Sequence, residues 1–339
     1  MTKLHLPKSF ERARHATTPV LGAGSASLES RLRNVVEYHW GWVDAEGQPA
    51  ETRPGKALRP TLVILSAEAV GGTVDEALAG AAAVEMIHDF TLLHDDVMDD
   101  DAERRGRPAA WTCFGIGPAI CAGDALVLLA QQMLLADASV HRAAALAELL
   151  SATQEVIAGQ SLDLAYEGRV DVGVEDYLAM SQKKTGALLG GSAAIGAILG
   201  GGSPFQIDAM REFGIALGLA FQAVDDWLGI WGDPERVGKP RASDLQQRKV
   251  SLPIAMAMAS EDAAGRAMRE WMGSNEVVDS AAIDRGMAWL DAVGAERATV
   301  ELARRELDRA LGLLDEADPV EESKRELVAL ARFVVEREF

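Results

Sequence analysis

The sequence predicts an all-α protein, a single bundle of antiparallel helices, on three observations. Apolar residues recur at the helical period through most of the 339 residues. Strand signals are nearly absent: β-branched residues seldom alternate with polar ones, and no Asn-Gly turn occurs. No linker divides the chain, so residues 25–339 read as one domain. Residues 1–24 lack a clear period and read as a mobile N-terminal tail.

The elements follow in order. Residues 25–43 carry a helical pattern, and 44–54 (DAEGQPAETRP) form a loop. Helices then cover 57–70, 74–100, 118–135, 141–166, 174–199 and 204–230. Residues 232–243 (GDPERVGKPRAS) form a polar Gly/Pro loop, and shorter helices follow, with Ser274 and Asp318-Pro319 as start signals. The uncharged run 186–202 (GALLGGSAAIGAILGGG) is slightly short for a membrane span, and its small residues suit close packing, so it reads as a buried central helix.

Composition narrows the function. Hydrophobic residues make up 48% of the chain, enough for a sizeable core, and the net charge is −19. Such an acidic chain excludes non-specific nucleic-acid binding and docking on an anionic membrane. Cys113 and Cys121 form no CxxC pair and have no His at metal-ligand spacing. They read as reduced thiols of a cytoplasmic protein, most simply as two buried small hydrophobes. Residues 1–25 contain no apolar h-region of a signal peptide.

Two acidic corners stand out. In HDDVMDDDAERRGRP (94–108), Asp95, Asp96, Asp99, Asp100 and Asp101 crowd the end of an apolar helix. With about 100° per residue, Asp95, Asp96 and Asp99 face one side, and His88, two turns earlier, lies within about 20° of Asp95. A second apolar helix carries Asp225-Asp226 one turn after Phe221 and Gln222. Position 229, where a third acid would complete that pattern, is glycine. One such cluster reads equally as a solvated helix end, but basic Gly/Pro turns accompany both. These are GKALRP (55–60), with Lys56 and Arg59 at a helix start suited to anions, Arg104-Arg105-Gly106 after the first cluster, and Lys239 and Lys249 after the second. Lys184-Thr185 opens the Gly/Ala-rich helix. Mg²⁺ takes oxygen ligands and is held by one or two carboxylates plus substrate phosphates. Two acidic helix ends with arginines and lysines nearby therefore suit a metal-bridged diphosphate and the charge that develops as it leaves.

The motifs GKALRP (55–60), HDDVMDDDAERRGRP (94–108), GDALVLLA (123–130), KTGALL (184–189), FQAVDDWLG (221–229), GKP (238–240) and KVSLP (249–253) occur in this order. On them the chain resembles the trans-isoprenyl diphosphate synthases, the polyprenyl synthetase family, from about Ser27 to Pro253. The resemblance implies an isoprenoid-synthase fold around a central cleft, a homodimer, and three Mg²⁺ per active site. It implies Asp95 and Asp99 as ligands of two metals and Asp225 of the third, with Asp96 and Asp226 in support. Arg104, Lys184 and Lys239 would hold the allylic diphosphate, and Lys56, Arg59, His88 and Arg105 isopentenyl diphosphate. Thr185 and Gln222 would lie beside the reacting carbons, and Lys249 would help close the site.

Product length in this family is set by residues just before the first acidic motif, here Ile87, Phe90 and Thr91. A Phe five positions before Asp95, a small residue next, and no insertion between Asp96 and Asp99 resemble short-chain synthases, geranylgeranyl (C20) types first and farnesyl (C15) types next. The wheel points Thr91 toward the cleft and Phe90 about 140° away. A class I terpene cyclase would use the same ionisation, but would not need the second diphosphate set of Lys56, Arg59, His88 and Arg105. A non-catalytic partner subunit would not need the nearly complete acidic and basic sets. Gly229 and Ala109, where a Thr commonly follows the RRGxP turn, depart from the family pattern.

Overall fold

The computed structural model describes residues 7–50, 55–234 and 241–336. The described helices are α1 (Lys8–Ser25), α2 (Ser30–His39), α3 (Leu58–Ala69), α4 (Val74–Met98), α5 (Ala110–Phe114), α6 (Ile116–Leu135), α7 (Val140–Tyr166), α8 (Val174–Ser181), α9 (Ala187–Leu199) and α10 (Pro204–Trp231). They continue as α11 (Ser243–Gln247), α12 (Leu252–Ala259), α13 (Ala263–Met272), α14 (Ser280–Ala292), α15 (Ala295–Glu316) and α16 (Glu321–Glu336). The one described sheet is a two-residue pair, β1 (Glu103–Arg104) against β2 (Arg107–Pro108). The all-α expectation holds, and the expected helices fall within a few residues of the observed ones.

The chain forms two compact units: residues 1–151, 191–211 and 317–327, and residues 152–190, 212–316 and 328–339. In the first, α4 packs against α3 and α6. A reciprocal capping box between Thr73 and Glu76 starts α4, and its alanines (Ala77, Ala81, Ala82, Ala83) are fully buried. Such small side chains let neighbouring helices approach closely. The same logic explains the glycine of the GDALVLLA motif. A Cβ at Gly123 would lie 2.3 Å from Nε2 of His94, so only glycine lets α6 seat against that ring. His94 Nε2 in turn meets the Ile120 carbonyl at 3.1 Å.

Three expectations are corrected. Residues 8–24 of the expected tail belong to α1, with Phe10 and Ala13 buried at 1% exposure. Arg12 anchors this helix through two 2.7 Å hydrogen bonds to Glu68. Pro19 and two threonines obscured the helical pattern; Thr17 and Thr18 hydroxyls bond back to the Ala13 and Arg14 carbonyls. Cys113 and Cys121 are exposed, because α5 and the outer face of α6 turn them away from the core. The 174–199 helix is interrupted by a π-helical turn over Gln182–Gly186.

Among the described residues, two helices, Ile116–Leu135 and Pro204–Trp231, are long and apolar enough to cross a membrane, but 61% of the apolar window of the latter is buried in the protein. The expected central helix is observed as α9, whose residues 188–199 are buried.

In the second unit, α10 packs on the chain around the π turn. A Cβ at Gly218 would lie 2.6 Å from Gly186 Cα, so the two backbones touch there. This approach places the α10 side chain Gln222 beside Thr185.

Candidate active site

The first unit carries the first acidic corner. Asp99 and Asp101 cap the end of α4 through N–H bonds to the Asp95 and Asp96 carbonyls, 2.8 and 3.0 Å. Asp100 then turns left-handed at φ 52°. Carboxylates at a helix C-terminus oppose the negative end of the helix dipole, so the corner is poised for a cation. Asp95 is half-buried and Asp99 exposed. Asp96 is buried at 1% exposure. Its Oδ1 accepts from Nε of Arg104 at 2.8 Å and also from Nη2, while its buried Oδ2 has no protein partner. Burial lowers the Arg104 pKa, but the bonds to Asp96 outweigh it and hold the guanidinium above its ordinary range.

The RRGRP segment is a hairpin that the sequence reading did not anticipate. Arg105 and Gly106 are both left-handed, φ 57° and 74°, the pattern of a type I′ turn. Arg107 clamps its base, donating 3.0 Å to the Val43 carbonyl and lying 4.3 Å over the Tyr38 ring. Arg104 is thereby turned to Asp96, and Arg105 is exposed at the turn, with its guanidinium against Gly55.

A second set in the same unit gathers Arg59, His88 and Arg105. Arg59 stands in the first turn of α3, and its buried Nε has no protein hydrogen-bond partner. Burial lowers this guanidinium to about 10, against the pull of Glu85 and Asp89. Burial, then Arg59 and Arg105, hold His88 well below its ordinary pKa, so it is a neutral imidazole. Lys56 is exposed just before α3.

Sequence reasoning missed the acids beneath. Asp89, 1% exposed, accepts from Trp40 Nε1 at 2.7 Å and meets His39 Nε2 at 3.3 Å. Glu85, a turn earlier, is pushed up to about 8 by burial and then by Asp89. The only signal was two acids four apart inside an apolar helix.

Among the expected length-setting residues, Ile87 is buried at 1% exposure and Phe90 at 9%. Phe90 meets the His94 ring edge-on at 4.8 Å and would touch a Cβ at Gly123, so it faces α6. Thr91 is half-buried, its hydroxyl folded back 2.7 Å to the His88 carbonyl.

The second unit carries the second corner. Its buried member, Asp226, accepts from Tyr177 Oη at 2.5 Å, Gln222 Nε2 at 2.8 Å and the Leu252 amide at 2.9 Å. Burial pushes this carboxyl up to about 7, against the hydrogen bonds from Tyr177 and Gln222. Asp225 is exposed. Asp226 thus orders the corner while Asp225 is presented to solvent. Thr185 donates to Gln222 Oε1 at 2.7 Å, which fixes the amide so that its nitrogen faces Asp226. The π turn carries Lys183, Lys184 and Thr185, a local widening often found at functional sites. Lys184 Nζ donates to Asp163 at 2.5 Å, and Lys249 Nζ lies 3.9 Å from the same carboxylate. Asp163 and Tyr177 were also missed; nothing in their spacing marks them. Lys239 lies outside the described residues.

The donors in both corners are carboxylate oxygens, which suit Mg²⁺, and the orphaned Asp96 Oδ2 fits a cation or its water. Among the described residues, no three His, Cys, Asp or Glu side chains form a ready cage. A cation here would take its remaining oxygens from water and phosphate.

Comparison with known proteins agrees with this chemistry. Residues 42–287 match the sequence model of a family described as polyprenyl synthetase. The chain is 39% identical over 341 residues to a (2E,6E)-farnesyl diphosphate synthase of Mycobacterium tuberculosis, spanning all of this chain and 95% of that protein. It is 38% identical over 331 residues to a geranylgeranyl diphosphate synthase of the same organism, covering 97% and 93% of the two. A polyprenyl synthetase from Streptomyces coelicolor superposes with a TM-score of 0.93 at 41% identity, over 98% of this chain and 100% of that one.

Proposed function

We propose, for a chain that belongs to the polyprenyl synthetase family and is therefore an isoprenyl diphosphate synthase, that it condenses isopentenyl diphosphate with allylic diphosphates to give geranylgeranyl diphosphate (C20), with farnesyl diphosphate (C15) as the nearest alternative. The observation that carries an elongating reaction, rather than a cyclisation, is the buried orphan donor of Arg59 beside the neutral imidazole of His88. A second, non-reacting diphosphate supplies the acceptors that this donor lacks.

The roles divide between the two sets. Arg59, His88, Arg105 and Lys56 hold isopentenyl diphosphate. Arg104, Lys184 and Lys239 take the allylic diphosphate, and Lys249 helps to close over it. Lys184 donates to Asp163, so diphosphate binding would exchange one acceptor for another. Asp95, Asp99 and Asp225 would hold Mg²⁺, three ions by family analogy. The bound metal would neutralise the departing diphosphate. Asp96 and Asp226 support from behind: each is buried, and each is tied to a neighbour, Arg104 and Gln222 respectively. The chain's own work is to position the two substrates, exclude water from the allylic cation and hold the isopentenyl double bond against it. Thr185 and Gln222 lie beside the reacting carbons, and the departed diphosphate accepts the final proton. For length, Phe90 is spent on packing against α6, which leaves Ile87 and small Thr91 to shape the floor.

The enzyme is cytoplasmic and homodimeric in this reading. Ile116, Leu128 and Leu135, at 56%, 60% and 64% exposure on α6, support a second copy as the partner.

Product analysis tests the proposal. Purified protein is incubated with Mg²⁺, isopentenyl diphosphate and, separately, C5, C10 and C15 allylic diphosphates. A C20 product is expected from each. A stop at C15 would overturn the length assignment alone, whereas cyclic hydrocarbon or no product would overturn elongation.

A further inference from the structure

The end of α2 is built into the first unit beside the second diphosphate set. It closes in a Schellman turn. Gly41 is left-handed at φ 79°, its amide donates to the Tyr38 carbonyl at 2.8 Å, and the Trp42 amide donates to the Glu37 carbonyl at 2.9 Å. This turn fixes His39 and Trp40, which are 8% and 7% exposed. Both side chains reach one carboxylate. Trp40 Nε1 donates to Oδ2 of Asp89 at 2.7 Å, and His39 Nε2 stands 3.3 Å from Oδ1. Arg107 ties the same turn to the hairpin that carries Arg105, donating to the Tyr38 and Val43 carbonyls. A cavity of about 30 Å³ separates turn from hairpin, with His39 and Trp40 on one wall and Arg104 and Arg105 on the other.

Glu85, His88 and Asp89 stand at i, i+3 and i+4 on α4, so they share a face. The charges of Glu85 and Asp89 both act on Arg59. Yet among the described residues Arg59 makes no ion pair with either acid, and its buried Nε keeps no protein partner. A guanidinium and a carboxylate attract strongly where water is excluded, and the fork of arginine matches a carboxylate in two bonds. Asp89 does not turn to Arg59 because each of its oxygens already faces a group on α2. An Asp89 released from the indole and the imidazole would take up the Arg59 donors, and a diphosphate would then have to displace it.

We propose that Trp40 and His39 are positioning residues for the isopentenyl diphosphate site: by holding the Asp89 carboxylate at the end of α2, they keep the Arg59 guanidinium open to the diphosphate. Neither residue needs to touch substrate for this. The inference rests on the function proposed above and deepens it.

The test releases the carboxylate and then removes its charge. Steady-state kinetics on the full-length enzyme with Mg²⁺, isopentenyl diphosphate and a C10 allylic diphosphate give the two Michaelis constants separately for the wild type, Trp40→Phe and the double variant Trp40→Phe/Asp89→Asn. Phenylalanine keeps an aromatic ring and removes the N–H donor. KM for isopentenyl diphosphate is expected to rise on the order of 10- to 100-fold in Trp40→Phe, the worth of a hydrogen bond to a charged group, while KM for the allylic substrate changes little. The double variant recovers most of the loss, because an amide carries no charge to draw Arg59 away. A packing defect would not be reversed by a second substitution in the same core. Circular dichroism and thermal midpoints confirm that each variant is folded. If Trp40→Phe is not, His39→Ala frees the other oxygen, and the same split and the same recovery with Asp89→Asn are expected. An unchanged KM for isopentenyl diphosphate in the folded single variant, equal losses for both substrates, or a double variant no better than the single would overturn the inference and leave the proposed function standing. A wild-type enzyme with no turnover of isopentenyl diphosphate would overturn both.

Discussion

Replacing Glu85 with glutamine probes the buried polar floor under Arg59 and His88. Glu85 is pushed from an ordinary 4.5 up to about 8, first by burial and then by Asp89, with Arg59 and Arg105 pulling the other way. His88, held neutral, adds no compensating charge. In the folded protein Glu85 thus keeps its proton up to about pH 8, whereas the unfolded chain loses it near 4.5. Between these values the folded state binds more protons, so stability falls as pH rises, by up to about 1.4 kcal/mol per pH unit from this group. Glutamine keeps the shape and cannot ionise. Glu85→Gln should therefore match the wild type near pH 5 and grow progressively more stable relative to it up to about pH 8, after which the gap levels off. For a chain of this size roughly 2 °C of midpoint per kcal/mol is expected, or about 3 °C per pH unit at most. Thermal denaturation of both proteins, without metal, from pH 5 to 9 measures this. Parallel profiles across that range, or a variant that loses ground at high pH, would refute the placement of Glu85 as a buried, proton-holding acid.

Other outcomes follow from the same geometry. Gly123→Ala forces a methyl against His94, and overpacking of this kind should cost about 1–3 kcal/mol, read as a lower urea midpoint with unchanged m-value. Tyr177→Phe removes one of three donors to buried Asp226 and should destabilise by about 1.5–3 kcal/mol, checked by urea denaturation at pH 8.5. Arg59→Ala should lose on the order of 10- to 100-fold in kcat/KM for isopentenyl diphosphate while the allylic KM changes little, since the lost bonds are to one substrate. Equal losses for both substrates would assign Arg59 to something other than the second diphosphate.

Sequence reasoning recovers what periodicity and local chemistry encode. α4 and α10 were recognisable because their apolar pattern is long and each ends in paired aspartates. α1 was not, because Pro19 and the threonines break the pattern and its helical state rests on Phe10, Ala13 and Arg12 meeting distant partners. The hairpin at Arg105-Gly106 needs a left-handed arginine, which no propensity favours, and is held by Arg107 against Tyr38 and Val43. The π turn at Lys184 lies where Gly186 meets Gly218, a close approach that no local pattern marks. Among site residues, those in dense motifs were found. Asp163, Tyr177 and Glu85 were not: Asp163 and Tyr177 acquire their roles from side chains distant in sequence, Lys184 and Asp226, and Glu85 from its burial above Asp89.

The proposed function stands or falls on the two acidic corners being metal sites for a substrate diphosphate. A crystal grown with a non-hydrolysable allylic diphosphate analogue and Mn²⁺ in place of Mg²⁺ tests it directly, because anomalous scattering locates the metal without reference to the chain. Anomalous peaks are expected beside Asp95 and Asp99 and beside Asp225. Bound analogue with no metal at those aspartates would contradict it.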